Sequence, residues 1–142
     1  MEYYVMQVRQ AVLEAIAAHA RRERPRECCG LLIGTDVEIT GAVPAGNVAD
    51  DPERRYEIAP MDHFAAIRRC REAARDGSAV RVIGGYHSHP HGAPVPSPTD
   101  LELAFEEFVY LIAGPVADGV PCGIRAYRLR DGAFEALRLT CA

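Results

Sequence analysis

Residues 84–100 read GGYHSHPHGAPVPSPTD, and the interpretation of the whole chain starts from this stretch. The apolar segment VRVIGGYH, at 80–87, leads into it and is the most strand-like part of the sequence. The glycines and prolines that follow favour neither helix nor strand, so they predict a loop after a central strand. This loop concentrates two imidazoles, a hydroxyl and a carboxylate between residues 87 and 100.

The two histidines of the loop, His87 and His89, are separated by one residue. In an extended chain the side chains of residues i and i+2 point to the same side, so the two imidazoles face one point. Ser88 faces away and is expected to hold the strand in place. Neutral histidine nitrogen is a common zinc ligand, but a His-x-His pair alone is more often structural. His91 continues the alternation after Pro90 and has the simpler interpretation of a solvated side chain.

The segment Ser97-Pro98-Thr99-Asp100 has two interpretations that the sequence does not separate. Serine at the N-cap, proline at the first helical position and an acid three residues after the cap predict the start of a helix. The same position suits a metal ligand, because the positive end of a helix stabilises an ionised carboxylate. Asp100 would then offer an anionic oxygen, with the Ser97 hydroxyl at the edge of the site.

The histidine pair and the segment 97–100 together favour a metal centre more strongly than either of them does alone. His87, His89 and Asp100 would supply three protein ligands and leave the fourth position of a tetrahedral zinc ion open. Three protein ligands with a water molecule are typical of a catalytic zinc, whereas a structural zinc is closed by a fourth side chain. The prolines of the loop restrict its conformations and so lower the entropy cost of bringing both halves together.

Periodicity along the rest of the chain predicts one α/β domain spanning residues 1–142. The predicted helices cover 7–23, 61–77 and 98–107, and the predicted strands cover 27–35, 37–43, 56–58, 80–87, 108–114, 123–132 and 133–140. The second helix is expected to place Phe64, Ile67 and either Cys70 or Arg71 on one face. No linker or internal repeat interrupts these elements.

Composition argues against two classes of partner. The net charge is −4, and the only local arginine cluster, at 21–26, is interrupted by a glutamate, which disfavours nucleic-acid binding. No apolar run approaches the roughly 18 residues that a membrane helix needs. The N-terminal sequence also lacks the features of a secretory signal. The sequence therefore predicts a cytoplasmic protein without a membrane partner.

The cysteines are odd in number and show no CxxC spacing, so they form neither a disulfide framework nor a zinc-knuckle pattern. They are Cys28, Cys29, Cys70, Cys122 and Cys141. We expect reduced thiols that are mostly buried.

The sequence resembles the JAMM (MPN+) metalloprotease family. The motif of that family is a distant Glu, then His-Ser/Thr-His-Pro, six residues and Ser-x-x-Asp. In this chain the motif positions are Glu27, His87-Ser88-His89-Pro90, residues 91–96, Ser97 and Asp100. The match has no gap or substitution, and the order of the predicted elements fits across most of the chain. The resemblance implies a single-domain JAMM/MPN fold of the α/β class, cytidine-deaminase-like, with a mixed central β-sheet flanked by helices.

The resemblance also implies a role for each motif residue. His87, His89 and Asp100 would hold Zn²⁺. Glu27 would take a proton from the zinc-bound water and pass it to the leaving amine. The hydroxyl of Ser97 would donate a hydrogen bond to the developing oxyanion. Taken alone, Glu27 would be interpreted as a solvated charge beside an arginine cluster, and only the complete motif reverses that interpretation.

Members of the family cleave an amide or isopeptide bond after the Gly-Gly tail of a ubiquitin-like protein. This chain is too compact for the two insertions by which eukaryotic relatives hold ubiquitin, and it is more similar to small stand-alone bacterial members. The resemblance therefore implies a ubiquitin-like sulfur-carrier protein with a Gly-Gly C-terminus as the substrate. Cysteine or a terminal extension would be released from its last glycine. The loop NVADDPERRYEIAP, at 47–60, resembles the substrate-facing region of those members.

Other functions fit the sequence less well. A zinc nucleobase deaminase needs His-x-Glu and Pro-Cys-x-x-Cys, but His89 replaces the glutamate and Arg125 replaces the cysteine expected after Cys122. A cysteine hydrolase using Cys28 or Cys29 has no local signature. A phage-tail or cell-wall endopeptidase is less favoured because no appended domain is evident. The main alternative is a non-catalytic MPN-type scaffold, although scaffolds of this fold lack some of the ligands that this chain keeps.

Overall fold

Seven β-strands form one mixed sheet that closes into a barrel. The structure is a computed structural model that describes residues 4–115 and 123–141. The strands are β1 (Val5–Val8), β2 (Cys29–Gly34), β3 (Glu38–Ala45), β4 (Arg81–Ser88), β5 (Val109–Ala113), β6 (Ile124–Arg130) and β7 (Ala133–Cys141). The helices are α1 (Gln10–Glu23), α2 (Pro60–Arg75) and α3 (Pro98–Glu102). The strand order is β1-β3-β2-β4-β5-β6-β7, and β1 pairs in parallel with β7 to close the barrel. The predicted mixed sheet with flanking helices is confirmed.

The predicted central strand, β4, lies between β2 and β5. It runs antiparallel to β2, with Cys29 opposite His87, and parallel to β5, with His87 opposite Ile112. Two glycines precede the histidine, and Gly84 is required by packing, because a Cβ atom there would lie 1.8 Å from the carbonyl oxygen of Val109. Close pairing with β5 therefore fixes the strand that carries the histidines.

The N-terminal prediction was wrong in one respect. Residues 5–8, the last two of which were assigned to the first helix, form β1, and α1 begins at Gln10. In β1 buried and exposed side chains alternate, with Met6 and Val8 in the core. Because Val8 also fits the helical spacing of α1, periodicity alone did not place the boundary.

The face predicted for α2 was wrong at Phe64. Ala66 is the buried residue of this helix, with Ile67 and Cys70 half-buried beside it, whereas Phe64 is 61 % exposed. Two helical positions separate Phe64 from Ala66, which is about 200° around the axis. The small Ala66 side chain lets the helix approach the sheet, and the larger Phe64 points outwards.

Two further elements are shorter than predicted. The third helix ends at Glu102 instead of 107, and Glu107 has a positive φ of 66°. The segment 56–58 forms a single antiparallel bridge, between Asn47 and Ile58, and no named strand. The hairpin of β6 and β7 is as predicted, since Asp131 and Gly132 both have the positive φ of a tight hairpin turn.

The thiol prediction holds for the described cysteines, which are all free. Cys28 and Cys29 are buried, Cys70 is half-buried and Cys141 is exposed. Cys122 lies outside the described residues. Within the described ranges, none of the helices combines the length and the apolar character that crossing a membrane requires.

Candidate metal centre

The end of β4 and the start of α3 bring three motif side chains together. His87 is the seventh residue of β4 and His89 follows the strand directly. Residues 90–96 then loop back, so that Asp100, in the first turn of α3, returns to the histidines. His87 and Asp100 are buried.

Three ligand atoms meet at this point. The Nε2 atoms of His87 and His89 are 3.1 Å apart, and Oδ2 of Asp100 lies 3.2 Å from the first and 3.1 Å from the second. Tetrahedral bonds of about 2.0–2.2 Å would separate the ligand atoms by about 3.3–3.6 Å, close to the spacing seen here.

The protonation of the histidines supports a cation at this point. The Nδ1 of His89 lies 2.9 Å from the carbonyl oxygen of Ala93, which only accepts hydrogen bonds. Nδ1 therefore carries the hydrogen, and in the neutral ring Nε2 presents a lone pair towards the Asp100 carboxylate. Two lone pairs facing each other at 3.1 Å need a positive charge between them, which either a proton on Nε2 or a bound metal ion supplies, so the donor set fits a metal ion.

Burial and hydrogen bonding act in opposite directions on the pKa values of the three ligands. Burial lowers the pKa of His87, which favours the neutral ring that binds metals. Burial would raise the pKa of Asp100, but its hydrogen bonds to His87 and His89 outweigh this effect and hold that pKa well below its usual range. Burial lowers the pKa of His89, but the hydrogen bond between its ring and Asp100 raises it by more. The net effect is a raised pKa for His89. Asp100 is therefore a permanent anion.

Glu27 brings a second carboxylate to the site from the residues before β2. It is 6 % exposed, and its Oε1 atom has no hydrogen-bond partner among the described residues. Ligand atoms of Glu27, His87 and His89 all lie within 4.8 Å of one another, a cluster able to hold a metal ion. Burial raises the pKa of Glu27 to about 7, although the nearby His89 lowers it.

The backbone of Glu27 is fixed by the loop at 47–60. The Glu27 N–H donates to the Pro52 carbonyl oxygen at 2.7 Å, and the Asn47 side-chain amide donates to the Glu27 carbonyl oxygen at 3.0 Å. Asn47 also accepts hydrogen bonds from the N–H groups of Ala49 and Glu57. Sequence analysis missed this role of Asn47, because an asparagine in a polar loop carries no distinguishing signal.

The two serines of the motif take different positions. The Ser88 hydroxyl accepts a hydrogen bond from the Cys28 N–H at 2.8 Å, which ties β4 to the residue after Glu27. Ser97 is the N-cap of α3: its hydroxyl accepts from the Asp100 N–H at 3.0 Å, and its own N–H donates to Asp100 Oδ2 at 2.9 Å. Asp100 therefore takes part in the helix cap and contacts both histidines at the same time. The hydrogen of the Ser97 hydroxyl remains available to a ligand.

Tyr56 is a further residue of the site that the sequence did not indicate. Its ring stacks on the His87 imidazole, with centroids 4.2 Å apart and planes inclined by 20°. Tyr56 is buried, so its stacking restricts the orientation of the His87 ring. In the sequence Tyr56 is only a tyrosine in a polar loop, so its contact with His87 could not be predicted.

An apolar groove of about 290 Å³ begins beside Tyr56 and runs between α2 and the end of α3. Its floor is Gly84 and Gly85 of β4, two residues upstream of His87. Its walls are mainly aromatic and aliphatic and include Ile58, Phe64, Leu103, Phe105, Phe108 and Tyr110. The groove therefore offers an apolar ligand a surface along β4, next to the tyrosine that stacks on His87.

Comparison with known proteins identifies relatives of this fold and site. Residues 9–130 match the family described as prokaryotic homologs of the JAB domain. The desampylase of Haloferax volcanii is 38 % identical over 109 residues, which cover 72 % of this chain and 75 % of that protein. A probable TtuB-protein conjugate cleaving protease of Thermus thermophilus is 35 % identical and covers 94 % of this chain and 82 % of its own length.

A third relative, the CysO-cysteine peptidase of Mycobacterium tuberculosis, is 32 % identical over 138 residues, covering 92 % of this chain and 86 % of that protein. Two solved structures share the fold. A protein of Desulfitobacterium hafniense has a TM-score of 0.80 at 24 % identity, covering 96 % of this chain and 92 % of its own. A JAB1/MPN domain protein of Archaeoglobus fulgidus has a TM-score of 0.55 at 20 % identity, covering 96 % and 98 %. The chain therefore belongs to the prokaryotic JAB domain family, the metal-dependent JAMM type that its loop motif predicted.

Proposed function

We propose that the protein is a zinc-dependent metallopeptidase that hydrolyses the amide bond after the C-terminal Gly-Gly of a ubiquitin-like sulfur-carrier protein. The observation that carries this proposal is the convergence of His87, His89 and Asp100 within 3.2 Å, with the buried carboxylate of Glu27 beside them. The names of three relatives, a desampylase, a TtuB-conjugate cleaving protease and a CysO-cysteine peptidase, support the class of substrate.

Two imidazole nitrogens and one carboxylate oxygen form a donor set that suits zinc. His87, His89 and Asp100 would hold the ion, which when bound supplies a nucleophilic hydroxide at neutral pH and polarises the scissile carbonyl. The Asp100 charge is fixed by its hydrogen bonds, and the His89 tautomer is fixed by Ala93. The chain thus orients the ligands before any metal arrives.

Glu27 is the proton carrier in this proposal. Its Oε1 atom has no hydrogen-bond partner in the described part of the chain, and a pKa near 7 suits a group that takes a proton and returns it. The hydrogen bonds of its backbone to Pro52 and Asn47 fix the Glu27 main chain, and the carboxylate lies close enough to the histidines to act on the nucleophilic water. The proton from the nucleophilic water would pass through Glu27 to the leaving amine.

Ser97 is the proposed donor to the oxyanion. Its hydroxyl oxygen already accepts a hydrogen bond from the Asp100 N–H, so its hydrogen can be directed to the substrate oxygen. The N-cap geometry fixes the position of that hydroxyl before substrate binds.

The main chain of residues 56–58 offers an edge for the tail of the carrier. The N–H of Glu57 donates to the Asn47 side chain, and its carbonyl oxygen accepts from the Val48 N–H. Because neighbouring residues of an extended segment direct their polar groups to opposite sides, Tyr56 and Ile58 present theirs away from Asn47. A Gly-Gly tail could pair with this edge in the groove, main chain to main chain, and reach the metal centre.

The proposal extends to the whole chain, residues 1–142, as one domain acting in the cytoplasm. Free thiols at Cys28, Cys29, Cys70 and Cys141 are compatible with a reducing compartment. The alternative of a non-catalytic scaffold is less favoured, because the chain retains both the complete donor set and a buried carboxylate next to it.

The test combines metal analysis with a hydrolysis assay. The purified protein is expected to contain about one zinc per chain. It should release cysteine from CysO that carries a C-terminal cysteine, or release the leaving protein from a TtuB conjugate, as followed by intact mass. The Glu27→Gln variant should bind the same amount of zinc and release nothing. A metal-loaded wild-type protein that leaves both probes intact would favour the scaffold, and an active Glu27→Gln variant would refute the role of Glu27.

A further inference from the structure

The outer face of α2 carries a row of exposed side chains that the proposed catalytic steps do not use. The row consists of Met61, Phe64, Arg68, Arg71 and Arg75, which recur at helical spacing and which we call the α2 row. Met61 is 74 % and Phe64 is 61 % exposed, and the three arginines are exposed as well. The helix therefore shows solvent an apolar N-terminal half and a cationic C-terminal half.

The charge of the α2 row is not neutralised within the described part of the chain. Arg68, Arg71 and Arg75 form no ion pair with any described residue, and Glu72, which lies beside the row, forms none with them. The protein as a whole is anionic, with a net charge of −4. A cationic surface on an anionic protein attracts a partner whose facing surface is acidic.

The α2 row is continuous with the candidate site. Phe64 belongs to the row and also lines the apolar groove, which is lined as well by Tyr56, the residue that stacks on His87. Pro60 and Phe64, at the start of α2, line the groove, so a protein whose tail lies there can bring its folded part next to the α2 row. From Met61 to Arg75 the helix rises about 21 Å. A domain of 80 residues has a radius of gyration of about 12 Å, so a small folded protein can span the row.

We propose that the α2 row is the docking surface for the folded body of the carrier, and that this body carries an apolar patch bordered by carboxylates. The inference rests on the proposed function, because the tail in the groove determines where the body lies. The apolar contacts at Met61 and Phe64 provide burial next to the tail, and the arginines provide orientation and a faster encounter. Selectivity for acidic carriers would thus reside on α2, away from the metal ligands.

The experiment compares two triple variants of equal charge. One replaces Arg68→Glu, Arg71→Glu and Arg75→Glu in the α2 row. The control replaces Arg21→Glu, Arg125→Glu and Arg138→Glu, exposed arginines on α1, β6 and β7. Circular dichroism verifies that both are folded. The probes are CysO with a C-terminal cysteine, the TtuB conjugate, and a six-residue peptide of each tail with the same leaving group.

We expect the α2 variant to raise KM for the complete carrier roughly tenfold at low salt, with kcat retained, and the control to change KM less than about twofold. Salt should raise the wild-type KM and have little effect on that of the α2 variant. The α2 variant with Arg→Gln at the three positions removes charge without reversing it. Its KM for the complete carrier should lie between that of the wild type and that of the Arg→Glu variant.

Several outcomes would overturn the docking proposal. Equal KM values for the α2 variant and the control would show that the row does not contact the carrier. An equal loss on the complete carrier and on the tail peptide would place the effect in the groove. A change in oligomeric state caused by the α2 variant would identify the row as a contact between copies. If the wild-type protein cleaves neither carriers nor peptides, the proposed function fails and the docking inference fails with it.

Discussion

The carboxylate of Asp100 lies 3.1 Å from the Nε2 atom of His89, across a loop that separates a strand from a helix. Each partner is held independently of the other: His89 through its hydrogen bond to Ala93, and Asp100 through the N-cap contacts of Ser97. The two halves of the site are therefore positioned by local structure, and a metal ion has only to join them.

The first prediction concerns this pair. Asp100→Asn keeps an acceptor for the Ser97 N–H but removes the negative charge, so α3 should form while zinc affinity falls more than about 100-fold. Metal content after dialysis against a weak chelator measures the effect. Glu102→Gln, which neutralises an exposed carboxylate of the same helix, is the matched control and should retain zinc. An Asp100→Asn protein with the metal content of the wild type would exclude Asp100 as a ligand.

The second prediction separates two functions of Ser97. Ser97→Ala removes both the N-cap and the proposed oxyanion donor, so it should cost about 1 kcal/mol of unfolding free energy and raise the barrier of hydrolysis by about 2.7–4 kcal/mol. Ser97→Gly lowers stability by only a few tenths of a kcal/mol, because glycine is a tolerated N-cap, but it should lose kcat equally. Urea unfolding and kcat are the measurements. Near-normal kcat in the glycine variant would assign Ser97 to capping alone.

The third prediction concerns Gly84. In Gly84→Ala the new methyl group would lie 1.8 Å from the Val109 carbonyl oxygen, so β4 and β5 must separate locally. We expect the unfolding free energy to fall by about 3 kcal/mol or more, as measured by urea denaturation. Gly92→Ala is the control, because no atom lies within 4 Å of a Cβ built there, and its stability should change by less than about 0.5 kcal/mol. Equal stability of the two variants would contradict the packing argument.

The fourth prediction concerns pH and a histidine remote from the metal centre. His19 is buried, its Nδ1 lies 2.7 Å from the Tyr86 hydroxyl, and burial followed by the charge of Arg22 lowers its pKa below 6.5. The unfolded chain therefore binds a proton that the folded chain resists. The free energy of unfolding therefore has its full value above about pH 6.5, and it decreases as the pH falls below that value and the unfolded chain takes up the proton.

His19→Gln keeps a side chain that can bond to Tyr86 but does not titrate. The stability advantage of the wild type over this variant should shrink between pH 7.5 and 5, by at most about 1.4 kcal/mol per pH unit. Urea unfolding in the presence of chelator, which removes any contribution of the metal centre, gives the measurement. An advantage that does not change with pH would show that His19 is not buried in its neutral form.

Sequence patterns predicted most of the fold because its strands are strongly apolar and its turns contain diagnostic residues. They failed at β1, where four residues give too little alternation to compete with the adjoining helical period. They also failed at Phe64, because a hydrophobic residue at helical spacing does not reveal which side of the helix faces the sheet. The closure of the barrel by β1 and β7 joins strands from opposite ends of the chain, which local patterns do not encode.

The residues of the candidate site divide in the same way. His87, His89, Ser97 and Asp100 lie close together along the chain, so their spacing predicted that they would meet. Glu27 was indicated only by the family motif. Tyr56 and Asn47 could not be predicted, because their contacts with the site depend on how the loop at 47–60 crosses the sheet.

The position of β1 has a consequence for biosynthesis. This strand pairs with β3 at Gln7 and with β7 up to Cys141, so its second neighbour leaves the ribosome about 130 residues after β1 itself. Until then one seam of the nascent barrel stays open, and its unpaired backbone is available to other chains. Because the closing contact joins residues about 130 positions apart, we expect it to form late and to limit the rate of folding.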